Sequence, residues 1–571
     1  MFSMSAKQLA IAITGAGGAG VISCGELLLQ AWARQGGRGL LRKAYGPQIR
    51  GGESAALLKL TESERYTAAM EYDVVVALDW DNFSRFEDEI TLRRGGWVLC
   101  ERDAELPGAI DAAQPNVLRL PLAELAAAAH PDGRVNMLVL GLLGGLLGLS
   151  ADHLSELAEI KLLAKPQVYR AAAAACIERG VAEPLDCQLS VPSQGGTELC
   201  YLSGNQAAGL GALQAGIRFV AAYPITPASD VLEWMAGGLE KVGGQLVQAE
   251  DELAAINMTI GAAFGGVPAF TATSGPGLAL MTESIGLAVA SETPITVFNV
   301  MRGGPSTGIP TKSEQSDLNI ALYGLHGDAP HLVLAALDIA DCVFTTGWAV
   351  QLAQQLQTAA IVLSDQFIGQ STAVVSEPRR CGDMAAAFSG PADGDYLRYQ
   401  LTSSGISTLA APGDANQRFT ADGLEHNEKG TPSAKQSDHQ LQLDKRASKL
   451  VDFDFGQDWA VTDGSGPVAI VSFGSSAAPV AEAAAILAER GVAVRVISLR
   501  LLAPLQAQAL TEALLGCEQL LVVEQNHSRQ LFHYLQGHMD FQQQVHSYAM
   551  AGPVPLSPDS IAQQVMEVGT A

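Results

Sequence analysis

At 571 residues the chain exceeds what one hydrophobic core serves, so length alone argues for roughly three to five domains. Apolar residues make up 48% and aromatic residues 6%, which describes a folded chain packed with Ala, Val, Leu and Ile and excludes a disordered one. A formal net charge of −25 repels nucleic-acid backbones but leaves room for a phosphate-rich cofactor held locally by backbone N–H groups and a few cations.

In chain order, the start MFSMSAKQLAIAITGAGG reads as a poor signal peptide, with one lysine and a brief apolar strand before glycines. Residues 1–183 read as a first α/β domain with a parallel sheet. A strand at 9–14 enters the glycine turn GAGGAG (15–20), and a helix over about 21–35 follows with Val21, Cys24, Leu28 and Trp32 on one face. Buried strands are expected at 73–79 and 95–100. The apolar run at 137–149 is too short to span a bilayer and predicts a buried helix. Residues 184–199, polar and proline-bearing, read as a linker.

Residues 200–370 repeat the rhythm of strand, turn and helix. FVAAY (219–223) ends on the abrupt PITP, QLVQAE (245–250) leads into a small-residue helix, PAFTAT (268–273) leads into SGPG, and ITVFNV (295–300) leads into MRGGPSTG. From 371 to 454 the pattern dissolves, and a long irregular or interfacial segment is expected. Residues 455–571 carry three further strand–helix units. The fold class is therefore multidomain α/β, with several open, mostly parallel sheets flanked by helices.

Several motifs bear on chemistry. GAGGAG follows a strand and precedes a helix, as a phosphate cradle does, although a tight turn has the same form. LRKAYGPQIRGGES (41–54) concentrates Arg42, Lys43 and Arg50 in an acidic protein and reads as a basic loop that is either wet surface or an anion site. Thr226 is a plausible helix cap before Pro227, and its hydroxyl would also lie where sheet ligands bind, outside the carboxyl end of a strand. Glu250, Asp251 and Glu252 crowd a strand end. From the residues alone, capping is the favoured role. Arg302 closes an apolar strand, and Gly303, Gly304 and Gly308 with Ser306, Thr307 and Thr311 make a donor-rich loop suited to a carboxylate or phosphate. His426, between Glu425 and Glu428 in GLEHNEKG, matches no common metal spacing; loop structure or a subunit contact is the preferred reading. The eight cysteines form no CxxC pair, so zinc-knuckle and ferredoxin-type cluster motifs are missing, and scattered thiols fit a reducing cytoplasm.

Taken together and in this order, these blocks resemble the alpha subunits of 2-oxoacid:ferredoxin oxidoreductases in which a gamma domain is fused at the N-terminus. GAGGAGV and AYGPQIRGGES resemble the gamma domain. AAYPITPASD, QAEDELAAINMTIGAA, TATSGPGLALMTE and MRGGPSTGIPTKSEQSDL resemble the pyrimidine-side thiamine-diphosphate domain. VSFGSSAAPV and VVEQNHSRQL resemble the transketolase-C-terminal-like remainder. The fusion and the GLEHNE block are most similar to the 2-oxoglutarate branch.

The resemblance implies oxidative decarboxylation of 2-oxoglutarate with coenzyme A to succinyl-CoA and CO2, or the reverse carboxylation. Electrons would pass through [4Fe–4S] to ferredoxin. It implies that Glu250 bonds N1′ of the aminopyrimidine, that Thr226 faces the oxoacid, and that Arg302 pairs its C1 carboxylate. Pro224, Ile225, Ser274 and Gly275 would line the cofactor; Tyr223, Gly303, Gly304, Ser306 and Thr307 would shape the substrate pocket. A second carboxylate needs a second cation, expected at Arg50 or Arg42 with Lys312 as competitor. No GDG-x-N type motif is present, so Mg2+, the diphosphate site and the cluster are expected on a small beta subunit. The assembly is expected to be a cytoplasmic (αβ)2 enzyme with no metal site in this chain, no membrane and no nucleic acid. Pyruvate, branched-chain and indolepyruvate enzymes are alternative relatives, a non-catalytic assembly subunit is an alternative of another class, and a nucleotide-dependent dehydrogenase is what the glycine loops alone would suggest.

Overall fold

The computed structural model describes residues 7–46, 52–64, 66–81, 83–85, 87–187, 189–192, 194–309, 311–382, 396–415 and 417–569. The chain divides into two compact units, Met1–Leu202 with Ser371–Glu377, and Ser203–Gln370 with Pro378–Ala571.

The N-terminal unit is built on an eight-stranded sheet. Gln8–Ala16, apolar and buried over most of its length, pairs in parallel with Tyr72–Ala77 on one side and antiparallel with Glu53–Thr61 on the other. The parallel half continues through Leu92–Glu101 and Asn116–Leu120; the other half continues through Arg38–Tyr45 to Thr372–Ser376 and Leu199–Ser203. The sheet is thus mixed, not parallel as expected. The basic loop expected over 41–54 is corrected as well. Arg42 and Lys43 belong to the strand Arg38–Tyr45, whose partner Glu53–Thr61 is buried throughout, so burial of two apolar strands outweighs the charges between them.

Val21–Arg34 buries Val21, Cys24, Leu28 and Trp32 against this sheet. The apolar run becomes the helix Val135–Leu146, buried from Asn136 to Gly144. It packs on Gln167–Val181 at van der Waals limit: a Cβ on Gly141 would lie 2.3 Å from the Ile177 carbonyl oxygen, and one on Gly180 would lie 2.3 Å from that of Leu138. No helix among the described residues is long and apolar enough to cross a membrane.

The second unit holds two sheets. The seven-stranded sheet runs Leu501–Ala503, Leu332–Ala335, Ala359–Asp365, Ile295–Met301, Ala269–Thr273, Phe219–Ala222, Gln245–Gln248, and all its pairs are parallel except the first. The five-stranded sheet runs Ala460–Gly464, Val494–Leu499, Val468–Phe473, Gln519–Glu524, Gln544–Ala549, again parallel except at its first pair. The edge strand Leu501–Ala503 carries the C-terminal domain into the larger sheet. Beside it Arg500 bonds Asp341 at 2.7 Å and the Asp458 carbonyl at 2.7 Å.

The segment expected to be irregular over 371–454 contains the strand Thr372–Ser376 and the sixteen-residue helix Gln436–Val451. That helix turns a charged face inward: Lys445 Nζ donates to both oxygens of the fully buried Glu292 at 2.6 and 2.7 Å, and Lys449 Nζ donates to the same carboxylate at 3.3 Å and to the Gln357 carbonyl at 2.8 Å. Arg398 donates to the Glu292 carbonyl at 2.7 Å. The cations outweigh burial and hold the Glu292 carboxyl down at about 2, while burial pushes Lys449 down to about 8. A carboxyl depressed from 4.5 contributes stability that is complete above that pH and is lost as pH falls toward about 2. Glu292→Gln leaves the cations buried and uncompensated, so it is expected to lower unfolding stability by about 3–5 kcal/mol and to flatten the acid limb. Urea melts at neutral and acid pH check both.

Candidate functional site

Four adjacent parallel strands, Gln245–Gln248, Phe219–Ala222, Ala269–Thr273 and Ile295–Met301, run in register, with Ala222 beside Gln248 and Thr273 beside Asn299. Their carboxyl ends therefore open at one edge of the sheet. They release Glu250, the YPITP turn, Ser274-Gly275 and Arg302-Gly303 side by side, where ligands of open α/β sheets bind.

The three acids divide their work. Asp251 caps the helix Glu252–Phe264, its carboxylate accepting from the Ala254 N–H at 2.7 Å, and Glu252 is buried in the first turn. Glu250 is left exposed, with no hydrogen bond or ion pair to any described residue. Capping, favoured from the residues alone, thus falls to Asp251 and not to Glu250.

The YPITP turn is held from beneath. The fully buried Asn205 donates through Nδ2 to the Pro227 carbonyl at 2.8 Å, and the Ile225 carbonyl accepts from the N–H groups of Ala228 and Ser229. The helix starts only at Ser229, so Thr226 is not its cap, which corrects that expectation. Tyr223, Pro224 and Thr226 are exposed and Ile225 is half-buried. Arg302 donates through Nη1 to the Thr226 carbonyl at 2.6 Å and joins the two loops; its Nε is buried without a partner.

Beyond Arg302 the chain folds back on itself. The Gly303 N–H meets the Lys312 carbonyl at 2.9 Å and the Gly308 N–H meets the Pro305 carbonyl at 3.0 Å. Ser306 and Gly308 both have positive φ, of 57° and 61°, and a Cβ on Gly308 would lie 1.5 Å from the Gly303 carbonyl oxygen. Gly304, Ser306 and Thr307 face solvent, and Gly303 is buried.

Below these loops lies a polar layer that the motifs did not reveal. Asn299 Nδ2 donates to Asp317 Oδ2 at 2.9 Å, while Asn299 Oδ1 and the Ser274 hydroxyl are buried without partners. Asp317 sits over Gly275, where a Cβ would lie 2.5 Å from its Oδ1; burial pushes its carboxyl up to about 6, against Asn299 and Arg302, which lower it. Glu314, raised by burial, accepts from the Gly552 N–H. Asn299 and Thr296 are the two polar residues of a buried, mainly apolar strand, and nothing local marks Asn299 as the one that faces the site.

The other expected residues are placed differently. Arg42 lies in the N-terminal unit, paired with Glu89 at 3.2 Å and bonded to the Tyr72 hydroxyl. Arg50 lies outside the described residues. Lys312 is half-buried on the Arg302 loop. The GLEHNEKG block is an anchor: buried His426 packs on Tyr399 with ring centroids 3.7 Å apart and planes tilted by 31°, and reaches the Asn427 and Ala290 carbonyls. Glu425 is taken by Arg446 and His439, each at 2.7 Å.

Fold and site define a ligand-binding centre open at the carboxyl edge of a parallel sheet, joined to a second, smaller α/β domain. The family profile for the thiamine-diphosphate-binding part of pyruvate flavodoxin/ferredoxin oxidoreductases matches residues 210–445, that for pyruvate ferredoxin/flavodoxin oxidoreductase matches 10–183, and that for the transketolase C-terminal domain matches 458–565. A solved 2-oxoglutarate:ferredoxin oxidoreductase from Magnetococcus marinus, with 2-oxoglutarate, coenzyme A and succinyl-CoA bound, superposes with a TM-score of 0.90 at 32% identity, covering 98% of this chain and 99% of that one. The 2-oxoacid:ferredoxin oxidoreductase subunit alpha of Sulfolobus sp. is 30% identical over 92% of this chain and 91% of its own length. The 2-oxoglutarate synthase subunit KorA of Methanothermobacter marburgensis is 34% identical over 65% of this chain and 99% of its own length. The chain belongs to the 2-oxoacid:ferredoxin oxidoreductases as an alpha subunit, one part of a larger enzyme complex.

Gly308→Ala combines a left-handed backbone with a clash at the Gly303 carbonyl, so the 303–312 loop is expected to open while the fold persists. Amide exchange of the loop should rise with little change in the global melting point; unchanged loop exchange would contradict the geometry.

Proposed function

We propose that this chain, with a partner subunit, oxidatively decarboxylates 2-oxoglutarate, or runs the reverse carboxylation. The observation that carries the reading is the exposed, unpartnered Glu250 set at one sheet edge with Thr226 and Arg302. In the oxidative direction the C1–C2 bond of 2-oxoglutarate breaks, C1 leaves as CO2, and the remaining acyl group passes to the thiol of coenzyme A. One proton and two electrons are released, the electrons passing singly to ferredoxin.

The residues fit thiamine diphosphate. A carboxyl group without a partner among the described residues, with half-buried Ile225 and exposed Pro224 on the neighbouring turn, suits an aminopyrimidine whose N1′ shares a proton with it. When bound, that cofactor supplies the carbanion-stabilising chemistry that decarboxylation of a 2-oxoacid needs. Glu250 holds a proton at N1′, Thr226 faces the oxoacid, and Arg302 binds and orients the C1 carboxylate until that group departs as CO2. Tyr223, Gly303, Gly304, Ser306 and Thr307 shape the pocket, and Ser274 and Gly275 bound the cofactor side.

Glu250 faces outward, and exposed Leu253, Met258 and Leu280 on the helices following it extend an apolar margin. This supports a partner chain covering the edge. We assign to that small beta subunit the diphosphate and Mg2+ site and the [4Fe–4S] cluster, in an (αβ)2 assembly. The eight cysteines, all free thiols, suit the cytoplasm.

In the co-purified complex, Glu250→Gln is expected to cut coenzyme-A-dependent viologen reduction by at least about 100-fold; full activity would remove Glu250 from the chemistry. For the distal carboxylate we propose Lys312, which lies on the Arg302 loop with its backbone carbonyl bonded to the Gly303 N–H at 2.9 Å. Lys312→Ala should raise KM for 2-oxoglutarate about tenfold or more and leave that for pyruvate unchanged. If it does not, Arg50 is the next cation to replace.

A further inference from the structure

The segment 312–317, which returns from the Arg302 loop, is gripped by the C-terminal domain. Gln315 is fully buried, and all of its polar groups are engaged. Its backbone N–H donates to the Gln525 carbonyl at 2.8 Å, and its own carbonyl accepts from Asn526 Nδ2 at 3.3 Å. Its side-chain Nε2 donates to the Phe473 carbonyl at 2.7 Å. Its Oε1 accepts from the Ser476 hydroxyl at 2.6 Å and the Gln525 N–H at 2.8 Å.

These partners come from two loops that leave adjacent parallel strands, Val468–Phe473 and Gln519–Glu524, at one edge of the C-terminal sheet. Gly474, at a φ of 57°, passes so close that a Cβ there would lie 2.7 Å from Gln315 Nε2. Gln530 adds a second grip, donating to the Ser316 carbonyl at 2.9 Å and accepting from the Asn319 N–H at 2.8 Å. Buried Glu524 fixes the gripping loop in turn. It accepts from Asn526 Nδ2 at 2.6 Å and from the N–H groups of Leu531 and Phe532 at 2.8 and 3.0 Å.

The other side of the same segment holds the substrate loop. The Ser316 hydroxyl donates to the Arg302 carbonyl at 3.2 Å, the Lys312 carbonyl accepts from Gly303, and Asp317 accepts from Asn299. A continuous set of hydrogen bonds therefore joins the C-terminal sheet to the backbone of Arg302.

We propose that Gln315 is a positioning residue for the oxoacid carboxylate, through which the C-terminal domain sets the placement of Arg302 over Thr226. This rests on the role given to Arg302 above. A buried amide that merely tied two domains together would govern melting temperature and the active fraction. One that positions Arg302 governs KM for the oxoacid as well.

The test uses the complex co-purified with its partner. Gln315→Glu keeps the volume and the acceptor but places a carboxylate oxygen against the Phe473 carbonyl. Ser476→Ala removes one donor only. Gln315→Glu is expected to raise KM for 2-oxoglutarate about tenfold with kcat little changed and KM for coenzyme A unmoved, and Ser476→Ala to shift it less in the same direction. In an Arg302→Lys background Gln315→Glu should add nothing further to KM. A lowered melting point with unchanged KM, or effects of Gln315→Glu and Arg302→Lys that simply multiply, would overturn the proposal. Amide exchange at Gly303 reads the clamp without turnover. It must rise in Gln315→Glu, or in Ser476→Ala if the former fails to assemble, and unchanged exchange refutes the clamp even where the wild-type complex proves inactive and the functional reading itself has failed.

Discussion

Parallel pairing of four short strands is the constraint on which the site depends. Strands that run the same way end at the same edge, and a helix must carry the chain back between them, so every strand-to-helix turn opens on one side. Glu250, the YPITP turn, Ser274 and Arg302 are far apart in sequence, and neighbouring strands in register make them neighbours in space. The turns are small-residue turns for the same reason: the chain must reverse within a few residues while leaving room for a ligand, and Gly308 with its Cβ position filled by the Gly303 carbonyl is the clearest case.

Around that edge the protein separates groups that hold the structure from groups left for chemistry. Asp251 spends its carboxylate on the helix N-terminus, and Glu292 and Glu425 are taken by buried cations; Glu250 has no partner among the described residues. Asn205 and Gln315 are wholly buried amides whose hydrogen bonds fix the backbone of the two loops from below and from the C-terminal domain. Such amides are costly to bury without partners, and the bonds that Asn205 Nδ2 and the whole Gln315 amide make hold the loops they touch.

Much of this was legible in the sequence. The strand ends that release Thr226, Glu250 and Arg302 were legible because strand, turn and helix have short-range signatures, whereas their membership of one site came from the resemblance of the motif blocks to the family and not from the pattern. Three features escaped for physical reasons. The antiparallel pair Arg38–Tyr45 and Glu53–Thr61 was hidden because Arg42 and Lys43 interrupt an apolar strand and find their compensation at Glu89 and Glu26, outside any local window. The helix Gln436–Val451 buries Lys445, Arg446 and Lys449, so its inward face is charged and an apolar periodicity search passes over it. Thr372–Ser376 pairs with a strand far upstream, and no local pattern encodes so distant a partner. Within the site, Asn299, Asp317 and Gln315 stood in plain view but carried no spacing that distinguished them from ordinary polar residues.

Under the function proposed above, this edge becomes a working centre for oxoacid chemistry only when a partner subunit covers it. The most direct measurement is coenzyme-A-dependent viologen reduction by this chain alone, by its partner alone, and by the recombined pair supplied with thiamine diphosphate and Mg2+. Each would be offered 2-oxoglutarate, pyruvate and indolepyruvate in turn. Neither chain alone is expected to reduce the dye, and the recombined pair is expected to be active with a preference for 2-oxoglutarate. Activity in the isolated chain, or silence of a cofactor-loaded and cluster-loaded pair with all three acids, would contradict that function.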